Sequence, residues 1–204
     1  MSKHMVGKLL MANLTLFVAQ SMYGDELLRW LGLWPLGLFG LDSTNMLAPS
    51  FMPWQVVSYA FLHGGLLHLG LNMYALWMFG RQLEAVWGPY RFAAYYFACV
   101  VGAALTQLVV SEYVLLQGGS AYPVIGASGG VFGLLLAFAL LFPRARLMLL
   151  FPPIAVEVRW FVLGYAALEL YFGVTGTSEG VAHFAHLGGM FTGWLLLRHR
   201  RRRF

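Results

Sequence analysis

Six runs of apolar residues, each close to the length of a bilayer crossing, set what this chain can become. They lie at about 7–23, 66–86, 92–111, 127–142, 159–172 and 181–197. A hydrocarbon core takes roughly 20 apolar residues per helix, and only closed hydrogen-bonded elements such as helices survive there. The charge supply agrees. Sixty per cent of the 204 residues are hydrophobic and 10% are charged, against about 25% charged in an average soluble domain. So few charges cannot cover a soluble surface, which excludes soluble enzymes and disordered chains. Cys99 is the single cysteine, so no intramolecular disulfide scaffold exists. The fold class read from these runs is an all-α integral membrane protein with six transmembrane helices.

The charges orient the helices. With the N-terminus inside, Lys3, Lys8, Arg81, Arg91, Arg144, Arg146, Arg159, Arg198, Arg200, Arg201, Arg202 and Arg203 fall on the inner side, 12 of the 13 basic residues, and Arg29 alone falls outside. Asp25, Glu26, Asp42, Glu112 and Glu179 fall on the other side. The positive-inside rule is thus met by an even number of spans with both termini cytoplasmic. The basic tail 198–204 follows an apolar run directly, so it reads as an anchor on anionic lipid and not as a nucleic-acid patch. The stretch Lys3–Ser21 resembles a signal peptide, with Ala19-Gln20-Ser21 as a cleavage site. Asn13 and Thr15 interrupt its apolar core, so a retained first helix is expected. The outer loop, 24–65, carries Trp30, Trp34, Phe39, Phe51 and Trp54. Such aromatic content predicts short helices in the membrane interface.

The fourth run carries the functional clue. From Ala127 to Phe142 a helix is about 24 Å long, short of a hydrocarbon core of about 30 Å. Arg144 fixes its inner end. Its other end, Gly126-Ala127-Ser128-Gly129-Gly130, must therefore lie below the outer surface, where non-helical backbone is tolerated only inside protein or beside water. This predicts a recessed polar cavity, open to the outside, with Ser128 at its floor.

Four histidines reach the same level in two pairs. His63 and His68 flank the start of the second run, and His183 and His186 the start of the sixth. His68 and Asn72 share a helix face, as do His186, Gly189 and Gly193. Gly129 with Gly133, and Gly189 with Gly193, are small-residue pairs that let membrane helices approach closely, which would bring Ser128 to His186. A serine hydroxyl needs an adjacent base to become a nucleophile, and neutral imidazole suits that role. His68, Asn72 and the Ser128 backbone N–H are the candidates for stabilising the oxyanion. No acid stands at an obvious orienting position beside either histidine pair, and Glu169 is the one acid well inside a run, so a Ser-His dyad is expected rather than a triad.

Taken singly, each feature has a plainer reading: Ser128 as a packing residue, His68 and Asn72 as interhelical bonds, His63 as a loop brace. Gly126-x-Ser128-x-Gly130 also matches the nucleophile elbow of soluble hydrolases, which requires a strand and sheet absent here. Two other functions stay open at this point. A metal-binding or transport protein would use His63, His68, His183 and His186, although no cysteine accompanies them and no HExxH motif is present. A non-catalytic binder of membrane segments is the other.

At these residues the chain resembles the rhomboid family of intramembrane serine proteases. His63 through His68 to Asn72 is similar to its HxxxxHxxxN motif, Gly126-Ala127-Ser128-Gly129 to its GxSG motif, and Ala185-His186-Leu187-Gly188-Gly189 with Gly193 to its AHxxGxxxG motif. The resemblance spans about Trp54 to Gly193. It implies a six-helix rhomboid-like bundle in which Ser128 is the nucleophile and His186 the base. Under it, His68 and Asn72 serve the oxyanion side, Gly126 and Gly129 support the site, and His63, Gly189 and Gly193 are structural, with His183 additional to the motif. It further implies transmembrane protein substrates in the bilayer and neither metal nor other cofactor. The minimal form of the family is expected, in a bacterial inner membrane. One departure stands out: the family often has Trp-Arg in the first outer loop, and this chain has Trp54-Gln55, which bears on how that loop is anchored.

Overall fold

A computed structural model describes residues 4–37, 49, 51–120, 122–148, 153–176 and 182–201. Expectations that fall on 38–48, on 177–181 (the start of the sixth run at Val181 included) and on 202–204 lie outside the described residues. Seven α-helices occur among those described: α1 Met5–Leu31, α2 Gln55–Ser58, α3 Leu66–Trp87, α4 Pro89–Leu116, α5 Ser128–Leu141, α6 Val158–Thr175 and α7 His183–Arg201. A 3-10 turn, Tyr59–Phe61, follows α2. A small antiparallel hairpin, β1 Arg146–Met148 with β2 Ala155–Glu157, joins α5 to α6, Leu147 opposite Val156. By length and apolarity, α1 and α4 suffice to cross a membrane, and α5 is a shorter apolar helix.

The first helix runs past the expected end of its apolar stretch, through a kink at Tyr23 (φ −128°, ψ 38°), and stops at Leu31. Its N-terminus is held by a buried carboxylate from a different helix. Glu84 accepts the backbone N–H groups of Met5 at 2.6 Å and Val6 at 3.1 Å. A helix start carries unpaired N–H groups and a partial positive charge, and a carboxylate answers both. Helices α3 and α4 turn on Gly88, whose φ of +77° favours glycine, and Pro89 opens α4 where its missing N–H has no cost.

Helix α7 packs between α4 and α5 through residues without side chains. A Cβ on Gly189 would run into the carbonyl oxygen of Gly129, and one on Gly188 into the Thr106 side chain. The pairing of small residues is thus asymmetric. Gly189 alone is pressed on the α5 backbone, whereas a Cβ on Gly129 or Gly133 would first meet Ala103 or Cys99 of α4, and one on Gly193 would meet Tyr95 and Cys99 of the same helix. Helix α6 lies at the periphery and buries only Val158, Val162 and Glu169.

At the Trp54-Gln55 departure, the described part of the outer loop is held by the amide itself. Gln55 is fully buried. Its Oε1 accepts from the Trp34 and Met52 backbones at 3.3 and 3.2 Å, and its Nε2 donates to the carbonyls of Arg29 and Trp30 at 3.4 Å. Tyr59 then donates to the Val100 carbonyl at 2.8 Å, and its own carbonyl accepts the Gly126 N–H at 3.0 Å. A neutral amide at position 55, with two donors and an acceptor, ties the C-terminal end of α1 to α2, and Tyr59 just beyond α2 holds Gly126, two residues before Ser128.

Candidate active site

Ser128 is the first residue of α5, and no side chain caps that helix. The N–H groups of its first turn have no intrahelical partner and carry the positive end of the helix dipole. Ahead of it, Gly126 adopts φ +131°, and a Cβ there would meet His68 Cε1 and Nε2 at 2.9 Å. Glycine is therefore required twice over, by conformation and by the closeness of the His68 ring.

The close approach of α5 and α7 at Gly129 and Gly189 brings Ser128 Oγ to 2.7 Å from His186 Nε2. The imidazole is held on three sides. Phe132 stacks on its face with ring centroids 4.2 Å apart and planes 5° from parallel, and its Nδ1 lies 2.9 Å from Glu169 Oε2. A carboxylate only accepts, so Nδ1 carries the proton and Nε2 presents a lone pair to the serine hydroxyl. An acid thus stands behind His186, contributed by α6, a partner the sequence had left open. In the sequence Glu169 is the one acid well inside an apolar run, but no local pattern there places α6 against α7. Its signal was its position in line with Val158 and Val162, the other buried residues of α6.

His183, one turn before His186, has its Nδ1 2.6 Å from the same Glu169 oxygen. Two imidazoles thus share one carboxylate oxygen, and all three side chains are buried. The four histidines do not form one cluster. His63 and His68 make a separate edge-to-face pair, centroids 5.1 Å apart. His68 Nδ1 accepts the Gly64 N–H at 3.3 Å, which puts the proton of its neutral ring on Nε2, the atom beside Gly126. Asn72 is buried and donates to the His68 carbonyl at 2.9 Å. His63 is locked by its backbone, which exchanges two bonds of 3.0 Å with the Gln20 side chain of α1. Burial, reinforced by the adjacent His68, pushes the His63 imidazole down to about 4.

Comparison with known proteins agrees with the motifs. A family model described as the rhomboid domain matches residues 50–203. The chain is 32% identical over 148 residues to rhomboid protein 1, mitochondrial, of Saccharomyces cerevisiae, an alignment covering 69% of this chain and 40% of that protein. It is 28% identical over 156 residues to the rhomboid protease GluP of Bacillus subtilis, covering 76% and 27%. It is 34% identical over 143 residues to RHOMBOID-like protein 4 of Arabidopsis thaliana, covering 70% and 33%. The chain therefore spans less than half the length of each of these relatives.

Proposed function

Because the chain belongs to the rhomboid family and is accordingly a membrane protein, we propose that it is an intramembrane serine endopeptidase that cuts peptide bonds in or near transmembrane segments. One observation carries this reading: the continuous chain from Ser128 Oγ through His186 to Glu169, with bonds of 2.7 and 2.9 Å. In the proposed bundle six helices, α1 and α3 to α7, cross the bilayer with both ends cytoplasmic, in a bacterial inner membrane, and the N-terminal end of α5 opens to an outward-facing water-filled cavity.

Ser128 is the nucleophile. As its Oγ attacks the substrate carbonyl, His186 Nε2 takes the hydroxyl proton, and the Glu169 carboxylate stabilises the imidazolium that results. The oxyanion forms beside two kinds of donor. One is the uncapped first turn of α5, including the Ser128 N–H; the other is His68 Nε2–H, directed by the Gly64 contact on the far side of the ring. Preset donors of this kind contribute about 3–4 kcal/mol each. His186 then protonates the leaving amine, the acyl-serine forms, and water activated by the same Nε2 hydrolyses it. Asn72 supports this side by holding the first turn of α3. A membrane-spanning substrate must unwind locally to present its carbonyl, so helix-breaking residues near the cut are expected.

The test is cleavage of a tagged single-span substrate in liposomes by wild type, Ser128→Ala and His186→Ala, with a serine-directed fluorophosphonate probe run in parallel. Loss of cleavage in both variants, with Ser128 labelled in wild type only, is expected. Cleavage that survives Ser128→Ala overturns the proposal. Absence of both cleavage and labelling in wild type would assign the chain to the non-catalytic binders of membrane segments.

A further inference from the structure

His183 has no part in the chemistry above, yet it lies buried on the carboxylate that serves His186. Bracing Glu169 takes a single donor, which an Asn or Ser supplies at no further cost. An imidazole adds what those side chains lack, a ring nitrogen able to ligate a metal ion. Glu169, His183 and His186 each offer one ligand atom, and these atoms lie within 4.8 Å of one another. Two histidines and one glutamate are the donor set of zinc sites that keep a coordination position open. With both rings neutral the cluster carries one net negative charge in a poorly solvated place, which a dication offsets.

We propose that Glu169, His183 and His186 form a zinc-binding site, and that zinc bound there switches the serine off. The switch is tautomeric. At rest both Nδ1 atoms carry protons toward Glu169, at 2.6 and 2.9 Å. A tetrahedral zinc with bonds of about 2.0–2.1 Å holds its ligands about 3.4 Å apart, so the Glu169 oxygen must part from His183 Nδ1 by about 0.8 Å and from His186 Nδ1 by about 0.5 Å. Zinc takes the Nδ1 lone pairs, and the proton of each neutral ring moves to its Nε2, with none gained or lost. On His186 that atom changes from acceptor to donor. It can no longer take the Ser128 proton, although the two atoms remain in contact. The same event occupies Glu169. Site and substrate are thereby coupled without any change of fold.

Zinc binding is testable apart from catalysis, whereas the inhibitory consequence rests on the proposed roles of Ser128 and His186. Zinc alone is titrated by calorimetry into detergent-solubilised Ser128→Ala protein carrying a tag free of histidine, and cobalt substitution reports the ligand geometry by its visible spectrum. One zinc per chain and a tetrahedral cobalt spectrum are expected. His183→Asn and Glu169→Gln, each added to Ser128→Ala and checked for folding by thermal melting, should weaken binding at least about tenfold. Absence of stoichiometric binding, or binding unchanged in both variants, overturns the site. In liposomes zinc should stop wild-type cleavage over the range of the binding curve, and a chelator should restore it. Zinc that binds without slowing active wild type overturns the switch. Zinc binding by a wild type that never cleaves leaves the site standing and sinks the protease reading.

Discussion

Replacing Gly189 by alanine tests whether helix contact, rather than motif alone, creates the site. The added Cβ overlaps the carbonyl oxygen of Gly129 and falls 2.8 Å from its carbon and 3.2 Å from its Cα. All three are backbone atoms, so no side chain can swing away. Restoring an ordinary carbon–carbon contact of about 3.5–4.0 Å requires α5 and α7 to part by about 1 Å. Gly129 adjoins Ser128, and Gly189 is one turn from His186, so the separation passes nearly undiminished to the 2.7 Å bond between Oγ and Nε2. That bond then exceeds the range of a hydrogen bond. A misplacement of about 1 Å costs roughly 10²-fold in rate, and overpacking costs about 1–3 kcal/mol in stability. The assay is single-turnover cleavage in liposomes beside a thermal melt in detergent. Gly164→Ala in α6, where a Cβ meets nothing within 4 Å, is the control and should keep full rate. Cleavage by Gly189→Ala within about threefold of wild type would refute the argument, because the contact would then not set the nucleophile–base distance.

Glu169→Gln should lower kcat by about 10²–10⁴-fold with little change in KM, since the amide still fills the space but no longer enforces the Nδ1–H tautomer; steady-state kinetics across substrate concentration check the split. Gln55→Ala leaves the Trp34 and Met52 N–H groups without their acceptor and should cost about 1–3 kcal/mol, read as a lower melting temperature with cleavage falling in step. His63 is held near 4 against an ordinary 6.5, so the unfolded chain takes up the proton first as pH falls. Its contribution to stability is complete above about pH 6.5, declines between 6.5 and about 4, and is constant below; the span corresponds to about 3 kcal/mol. Thermal midpoints measured from pH 7.5 to 4 should fall in wild type and flatten in His63→Gln, and an equally steep fall in the variant would remove His63 from the account.

Membrane residence belongs to the sequence, because it rests on composition and local hydropathy. Apolar runs and a paucity of charge need no knowledge of neighbours, and α1 and α3 to α7 each lie over one of the six runs. Ser128 and His186 were also legible, since a glycine-flanked serine on a short helix and a histidine followed by small residues each mark their own level and face. Position 55 was not: whether glutamine could replace the expected arginine depended on the carbonyls of Arg29 and Trp30 meeting it from α1. Glu169 was visible as an isolated acid, and only the packing of α6 on α7 disclosed what it serves. A hydrogen bond 17 residues long in sequence leaves no periodic trace, because its two ends sit on different helices whose rotation is fixed by glycines elsewhere. The sequence thus determined which groups reach the plane of the site. The approach of α5 to α7 at Gly129 and Gly189, and of α6 to both, decided which of them touch.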